Sequence, residues 1–181
     1  YIRKFLFMMK QKISVIITAY KEPKTIQKAV ISIAIQKIKD LEIMVVAPDE
    51  ETLSAAGRLQ KKFKNLKLVK DTGKGKSAAL NLAVKKASGK ILILTDGDVF
   101  ISRNSLKLLL EKIANNKVGA VSGRPISINS KNSKYGYWAH VLTDIANERR
   151  KKALSLRKRF FCSGYLFAIR KGVILNIPVV E

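Results

Sequence analysis

The chain has 181 residues, 47% of them hydrophobic, which suits one domain with a sizeable buried core. Its 36 Lys and Arg against 13 Asp and Glu give a net charge of +23. That balance points to an acidic partner (a phosphate-bearing ligand, an anionic membrane or nucleic acid), beside the plainer reading of a solvated Lys-rich surface.

Cys162 is the single cysteine, which excludes an intrachain disulfide and a cysteine zinc site. His140 is the single histidine, so any site needing two imidazoles is excluded as well. Both read as packing residues, and general-base work falls to a carboxylate. No stretch reaches the ~18 to 20 apolar residues of a membrane span. The start, Tyr1 to Lys10, is basic and aromatic, and its apolar run Phe5 to Met9 is too short for a signal-peptide core. An opening on Tyr1 reads as a chain processed, engineered or cut from a longer one, with Met8 or Met9 as candidate natural starts. Residues 1–10 are therefore set apart as an extension, and the domain is expected over 11–181.

Strand-like and helix-like segments alternate from there. Ile13 to Thr18 is a β-branched apolar run and predicts a buried strand. Pro23 suits a first helical turn, and Ile26, Ala29, Val30, Ile33 and Ala34 follow at helical spacing. Leu41 to Ala47 predicts a second strand, then a helix runs over about Glu50 to Phe63. Leu66 to Val69 predicts a third strand. A glycine-rich loop, Asp71-Thr72-Gly73-Lys74-Gly75-Lys76, leads into a helix from Ser77 to Ala87. Lys90 to Thr95 predicts the fourth strand, and Asn104 to Asn115 a helix whose core face is Leu106, Leu109, Leu110 and Ile113. Gly119 to Gly123 predicts a fifth strand and Tyr135 to Leu156 a longer helix. Phe160 to Arg170 reads as a loop and a short strand. Such alternation implies parallel strands joined by right-handed crossovers, with ligands bound beyond the carboxyl ends of the strands.

The polar clusters respect that rule, which argues for one shared crevice. Asp96-Gly97-Asp98 closes the fourth strand, so two carboxylates leave a rigid element, and Gly97 lets a ligand come close. Hard cations such as Mg²⁺ or Mn²⁺ take carboxylate and phosphate oxygens, and one held there stabilises a diphosphate leaving group. An Asp-Gly turn with no ligand is the plain alternative. Gly75-Lys76-Ser77 matches the end of a phosphate loop, but Lys70 stands where the opening glycine is required, so that motif fails. The loop still offers amides, lysines and a helix N-terminus to an anion. Asp49 suits either a base contact or a helix cap, and Glu22 either a ribose or base contact or the positive end of a helix.

Taken in order, Val15 to Glu22, Gly73 to Asn81, Thr95-Asp96-Gly97-Asp98, Val121-Ser122-Gly123-Arg124 and Cys162-Ser163-Gly164 resemble the family 2 glycosyltransferases. The resemblance implies a three-layer α/β/α GT-A domain with a mostly parallel sheet. It implies inverting transfer from a nucleoside-diphosphate sugar, often UDP-linked, to a hydroxyl acceptor, including a lipid-phosphate-linked or polysaccharide one. By resemblance Thr18, Ala19, Tyr20 and Glu22 line the nucleoside pocket, Asp49 meets the base, Lys76 lies near the nucleotide and Asp96 near the ribose. Asp98 holds the metal, Mg²⁺ or Mn²⁺, and Ser163 and Gly164 form the acceptor-side loop. The second strand departs from the pattern: it ends Ala47-Pro48-Asp49-Glu50, where the family more often shows paired aspartates. The family's catalytic acidic pair falls at Glu181, the last residue, so a domain shortened at its C-terminus and slow in turnover is expected.

Three other readings stand beside it, one of them a noncatalytic, truncated sugar-nucleotide binder. A sugar nucleotidyltransferase shares the fold type, but its first loop is glycine-rich and Ala19 to Pro23 holds no glycine. A basic nucleic-acid-binding module is suggested by charge alone, without a recognised motif. The basic clusters Arg149 to Lys152 and Arg157 to Arg159, with a stripe of Trp138, Val141, Leu142 and Ile145 upstream, add an anionic membrane surface as a candidate partner. That stripe also fits a core face. A cytoplasmic location, including the cytoplasmic face of a membrane, is expected.

Overall fold

The computed structural model describes residues 12–155, 162 and 164–174. Six strands form one sheet: β1 (Ile13–Thr18), β2 (Leu41–Ala47), β3 (Leu66–Lys70), β4 (Ile91–Asp96), β5 (Ala120–Ser122) and β6 (Leu166–Arg170). The helices between and after them are α1 (Ile26–Ala34), α2 (Glu50–Gly57), α3 (Lys76–Lys86), α4 (Ser105–Ile113), α5 (Lys134–Ser155) and α6 (Lys171–Ile174). Strand order is β3-β2-β1-β4-β6-β5.

The four strands β1 to β4 pair in parallel, as helix crossovers require. The last one does not follow that rule. Strand β6 runs antiparallel between β4 and β5 and separates two strands that are consecutive in the chain. The local pattern of Leu166 to Arg170 carries no sign of this, because pairing partners are chosen across the fold.

Alternation along each strand sorts side chains to two faces. Ile13, Val15 and Ile17, with Ile43, Val45, Ile91 and Ile93, pack under α1, α2 and α4. Ile16, Met44, Val46, Leu92 and Leu94 pack under α3 on the other face. Three layers result. Strands β1 and β2 are buried along their whole length, which is why they read as continuous apolar runs. Each fully buried Ile or Leu contributes about 1.5 to 3 kcal/mol, so Ile93→Ala at the centre of the sheet would cost about 2 to 5 kcal/mol.

Helix α2 ends at Gly57, short of the expected Phe63. Beyond it the chain tightens: Leu59, Gln60 and Lys62 donate to carbonyls three residues back. The three core leucines and one isoleucine expected in α4 are all buried. The stripe on α5 is not a core face. Trp138, Leu142 and Ile145 are 52%, 63% and 46% exposed, and Tyr135 on the same face is 86% exposed. His140 is held on α5 by a 2.9 Å contact of Nε2 with the Asn129 carbonyl.

Candidate active site

The carboxyl ends of β1 and β4 lie side by side, with Thr18 opposite Asp96. The ladder runs on past them: Gly97 N–H donates to the Thr18 carbonyl at 2.9 Å, and Ala19 N–H to the Val46 carbonyl at 3.0 Å. These bonds fix the turns that follow both strands. Between those turns and the loop before α3 opens a cleft of about 560 Å³. Thr18, Ala19, Tyr20, Glu22, Lys76, Asp96 and Asp98, all expected at the site, line it together. Asp71, Gly73 and Gly75 of the loop expected to offer its amides to an anion line it too, and so do Pro48 and Ala79, to which the sequence assigns no contact.

The loop before α3 is shaped by its glycines. Gly75, the residue before the helix, has φ +98°, a region that side-chain-bearing residues rarely enter. Asp71 Oδ1 accepts the Gly73 N–H at 2.7 Å and closes the turn. Lys76 then begins α3, and its Nζ lies 2.5 Å from Asp96 Oδ1. Asp96 also accepts a 3.3 Å bond from the Thr18 hydroxyl. Its charge is therefore already matched.

Asp98 differs. It is exposed and, among the described residues, has no hydrogen bond or ion pair. Glu22 points toward the same turn. Its Oε2 is buried and has no hydrogen-bond partner among the described residues, and a Cβ at Gly97 would overlap it. Burial, then the charges of Asp98 and Asp96, push the Glu22 carboxyl up to about 7, against the opposing pull of Lys76.

Asp49 stands just outside the lining. It caps α2, with Oδ1 accepting the Thr52 N–H at 2.9 Å. Its Oδ2 accepts the Lys21 N–H, also at 2.9 Å. Burial alone would raise its pKa; the bonds from Thr52 and Lys21 outweigh that and hold it below the usual aspartate value. Gly164 is exposed at the entry to β6. Because Leu166 pairs with Thr95, it comes to the same end of the sheet as Asp96. The Thr95 hydroxyl, donating to the Tyr165 carbonyl at 2.7 Å, ties this corner down. Ser163 and Glu181 lie outside the described residues, as do Arg157, Lys158 and Arg159.

A divalent metal can be tested against these residues. Among the described residues no three or more His, Cys, Asp and Glu side chains converge as a complete cage. One free carboxylate, Asp98, beside a second, Asp96, matches the way Mg²⁺ and Mn²⁺ bind through one or two carboxylates plus substrate phosphates. The donor set fits.

The profile of the family described as glycosyl transferase family 2 matches residues 14–177. The chain belongs to glycosyl transferase family 2. A glycosyltransferase of Streptococcus pneumoniae, GlyA, is 27% identical over 146 residues, covering 78% of this chain and 20% of that protein. The poly-β-1,6-N-acetyl-D-glucosamine synthase of Staphylococcus epidermidis is 29% identical over 127 residues, covering 68% of this chain and 31% of the synthase. The chain thus spans less than a third of either. Among solved structures, the mannosyltransferase PcManGT of Pyrobaculum calidifontis, in complex with GDP-Man and Mn²⁺, superposes with a TM-score of 0.69 at 26% identity, over 91% of this chain and 46% of that one. The glucosyl-3-phosphoglycerate synthase of Mycobacterium tuberculosis, solved with Mn²⁺, UDP-glucose and phosphoglyceric acid, gives 0.65 at 17% identity, over 97% and 62%, a likeness of fold. The sheet and its layers are those of the GT-A glycosyltransferases. Membership decides against the nucleotidyltransferase alternative.

Proposed function

We propose that the cleft binds a nucleoside-diphosphate sugar and transfers the sugar, with inversion, to a hydroxyl acceptor. The observation that carries this reading is the free Asp98 carboxylate beside the Lys76–Asp96 pair, in a cleft at the carboxyl ends of β1 and β4. Thr18, Ala19, Tyr20 and Glu22 receive the nucleoside, with Asp96 toward the ribose. Asp49 steadies the base side through the Lys21 amide. Lys76 and the uncapped amides opening α3 take the diphosphate, where the helix end favours negative charge. Asp98 holds the metal; Mg²⁺ or Mn²⁺ bound there supplies positive charge to the leaving diphosphate. Ser163 and Gly164 are assigned to the acceptor side, and Glu181 is assigned the base that takes the acceptor proton.

The donors bound by PcManGT and by the mycobacterial synthase make GDP- and UDP-linked sugars the first to test. Release of GDP or UDP from such donors, dependent on Mn²⁺ and lost in Asp98→Asn, supports the reading. Equal release by Asp98→Asn would remove the metal assignment.

A second element of the proposal is an anionic membrane surface, which suits a lipid-linked acceptor. Tyr135, Trp138, Leu142 and Ile145 share one exposed face of α5, and Arg149 and Lys152 continue its register. A net charge of +23 disfavours a second copy of the chain on that face and favours anionic lipid. No described helix is long and apolar enough to cross a membrane, so contact would be along the surface. Flotation with anionic but not neutral vesicles at low salt is expected; equal recovery with both would remove this element.

A further inference from the structure

Two backbone amides in succession, those of Lys21 and Glu22, are both received by the start of α2. Lys21 N–H goes to Asp49 Oδ2 and Glu22 N–H to Thr52 Oγ1, each at 2.9 Å. The two acceptors are themselves joined, since Thr52 N–H donates to Asp49 Oδ1. Thr52 is fully buried and lies outside the cleft.

We infer that Thr52 is a positioning residue: through its hydroxyl it sets where Glu22 stands in the donor site. This rests on the nucleotide-sugar reading above.

The turn after β1 has reason to need such a hold. Lys21 has φ +55°, a left-handed conformation that a lysine does not adopt by preference. Glu22 follows directly, and its side chain must fit against Gly97 with no room to spare. Its buried Oε2 has no partner among the described residues to keep it in place. The carboxylate is therefore located by its backbone, whose carbonyl accepts from the Thr25 and Ile26 amides at the start of α1 and whose amide is held by Thr52. A small drift of the Glu22 amide would move the carboxylate against Asp98 and into the space the donor needs. Thr52 is not among the residues that line the cleft, and its hydroxyl reaches that lining through the Glu22 amide.

A valine at position 52 keeps the shape and removes the acceptor; a serine keeps the acceptor and removes a methyl. Three proteins are compared: wild type, Thr52→Val and Thr52→Ser, with Thr52→Ala replacing valine should that variant not fold. Amide hydrogen exchange at Glu22 and calorimetric affinity for UDP and GDP with Mn²⁺ are measured. In Thr52→Val the Glu22 amide exchanges about fivefold faster or more, and the better nucleotide binds about fivefold more weakly. Thr52→Ser restores both to about twofold of wild type, which a loss of general packing would not do. Unchanged exchange at Glu22 in the valine or alanine variant overturns the inference. So does faster exchange with undiminished nucleotide affinity. Failure of the wild type to bind either nucleotide strikes the donor reading instead, and the exchange data still decide whether Thr52 holds Glu22.

Discussion

The Glu22 carboxylate occupies the space that a side chain at position 97 would need. Gly97 is thus the only residue type that lets the turns after β1 and β4 close on each other as they do. Gly97→Ala should cost about 1 to 3 kcal/mol, as overpacking does elsewhere, and should displace Glu22 from the cleft. Urea unfolding and nucleotide titration check this. An alanine variant of wild-type stability and affinity would show that Glu22 has another place to go.

Asp98 makes no contact among the described residues that its loss would break. Asp98→Asn is therefore expected within about 0.5 kcal/mol of wild-type stability. Its Mn²⁺-supported affinity for UDP or GDP should fall by tenfold or so, the loss of about 1.4 kcal/mol. Calorimetry with and without Mn²⁺ separates the two effects. Full metal-dependent affinity in the variant would move the metal elsewhere.

Lys76 neutralises Asp96 in the free protein and is expected to turn to the diphosphate when the donor binds. Lys76→Met should weaken UDP or GDP binding roughly tenfold, since hydrogen bonds to charged groups are worth about 1.5 to 3 kcal/mol. The salt dependence of binding should become shallower as well. Titrations at two ionic strengths give both numbers; an unchanged salt slope would deny Lys76 a phosphate contact.

At the opposite end of the sheet, Glu42 is a buried carboxylate with a purely structural role. It accepts from Lys67 Nζ at 2.7 Å, from the Ser88 amide at 2.9 Å and from the Ser14 hydroxyl. Burial alone would raise its pKa. The bonds from Lys67, Ser14 and Ser88 outweigh that and hold it at about 2, below the ordinary 4.5. A depressed carboxylate stabilises the fold above its unfolded value and loses that contribution as pH falls from about 4.5 toward 2. The full span corresponds to about 3 kcal/mol. Wild type should therefore lose more stability between pH 6 and pH 3 than Glu42→Gln does. Parallel losses in urea unfolding at the two pH values would contradict the assignment.

Much of this arrangement was legible in the sequence. β-Branched runs fixed on both faces by neighbours, such as Ile13 to Thr18, announce themselves as buried strands, and the strand-end polar residues Tyr20, Lys76, Asp96 and Asp98 do meet in one cleft. What escaped depends on partners far along the chain. Strand β6 enters between β4 and β5 by a choice its own five residues do not encode. Thr52 reads as an ordinary helix residue, since its partner Glu22 lies 30 positions away. Asp49 carried a local signal for its cap and none for its grip on Lys21. The α5 stripe has the spacing of a core face, but no described element covers it, and spacing alone cannot tell burial from exposure.

The cleft between β1 and β4 is proposed as a metal-assisted nucleotide-sugar site. Calorimetric titration of the wild type with UDP-glucose and GDP-mannose, each with and without Mn²⁺, tests it most directly. Saturable one-to-one binding of at least one donor, strengthened by Mn²⁺ and competed by the matching nucleoside diphosphate, is expected. Binding of neither donor in the presence of Mn²⁺, by a protein shown to be folded, would contradict it.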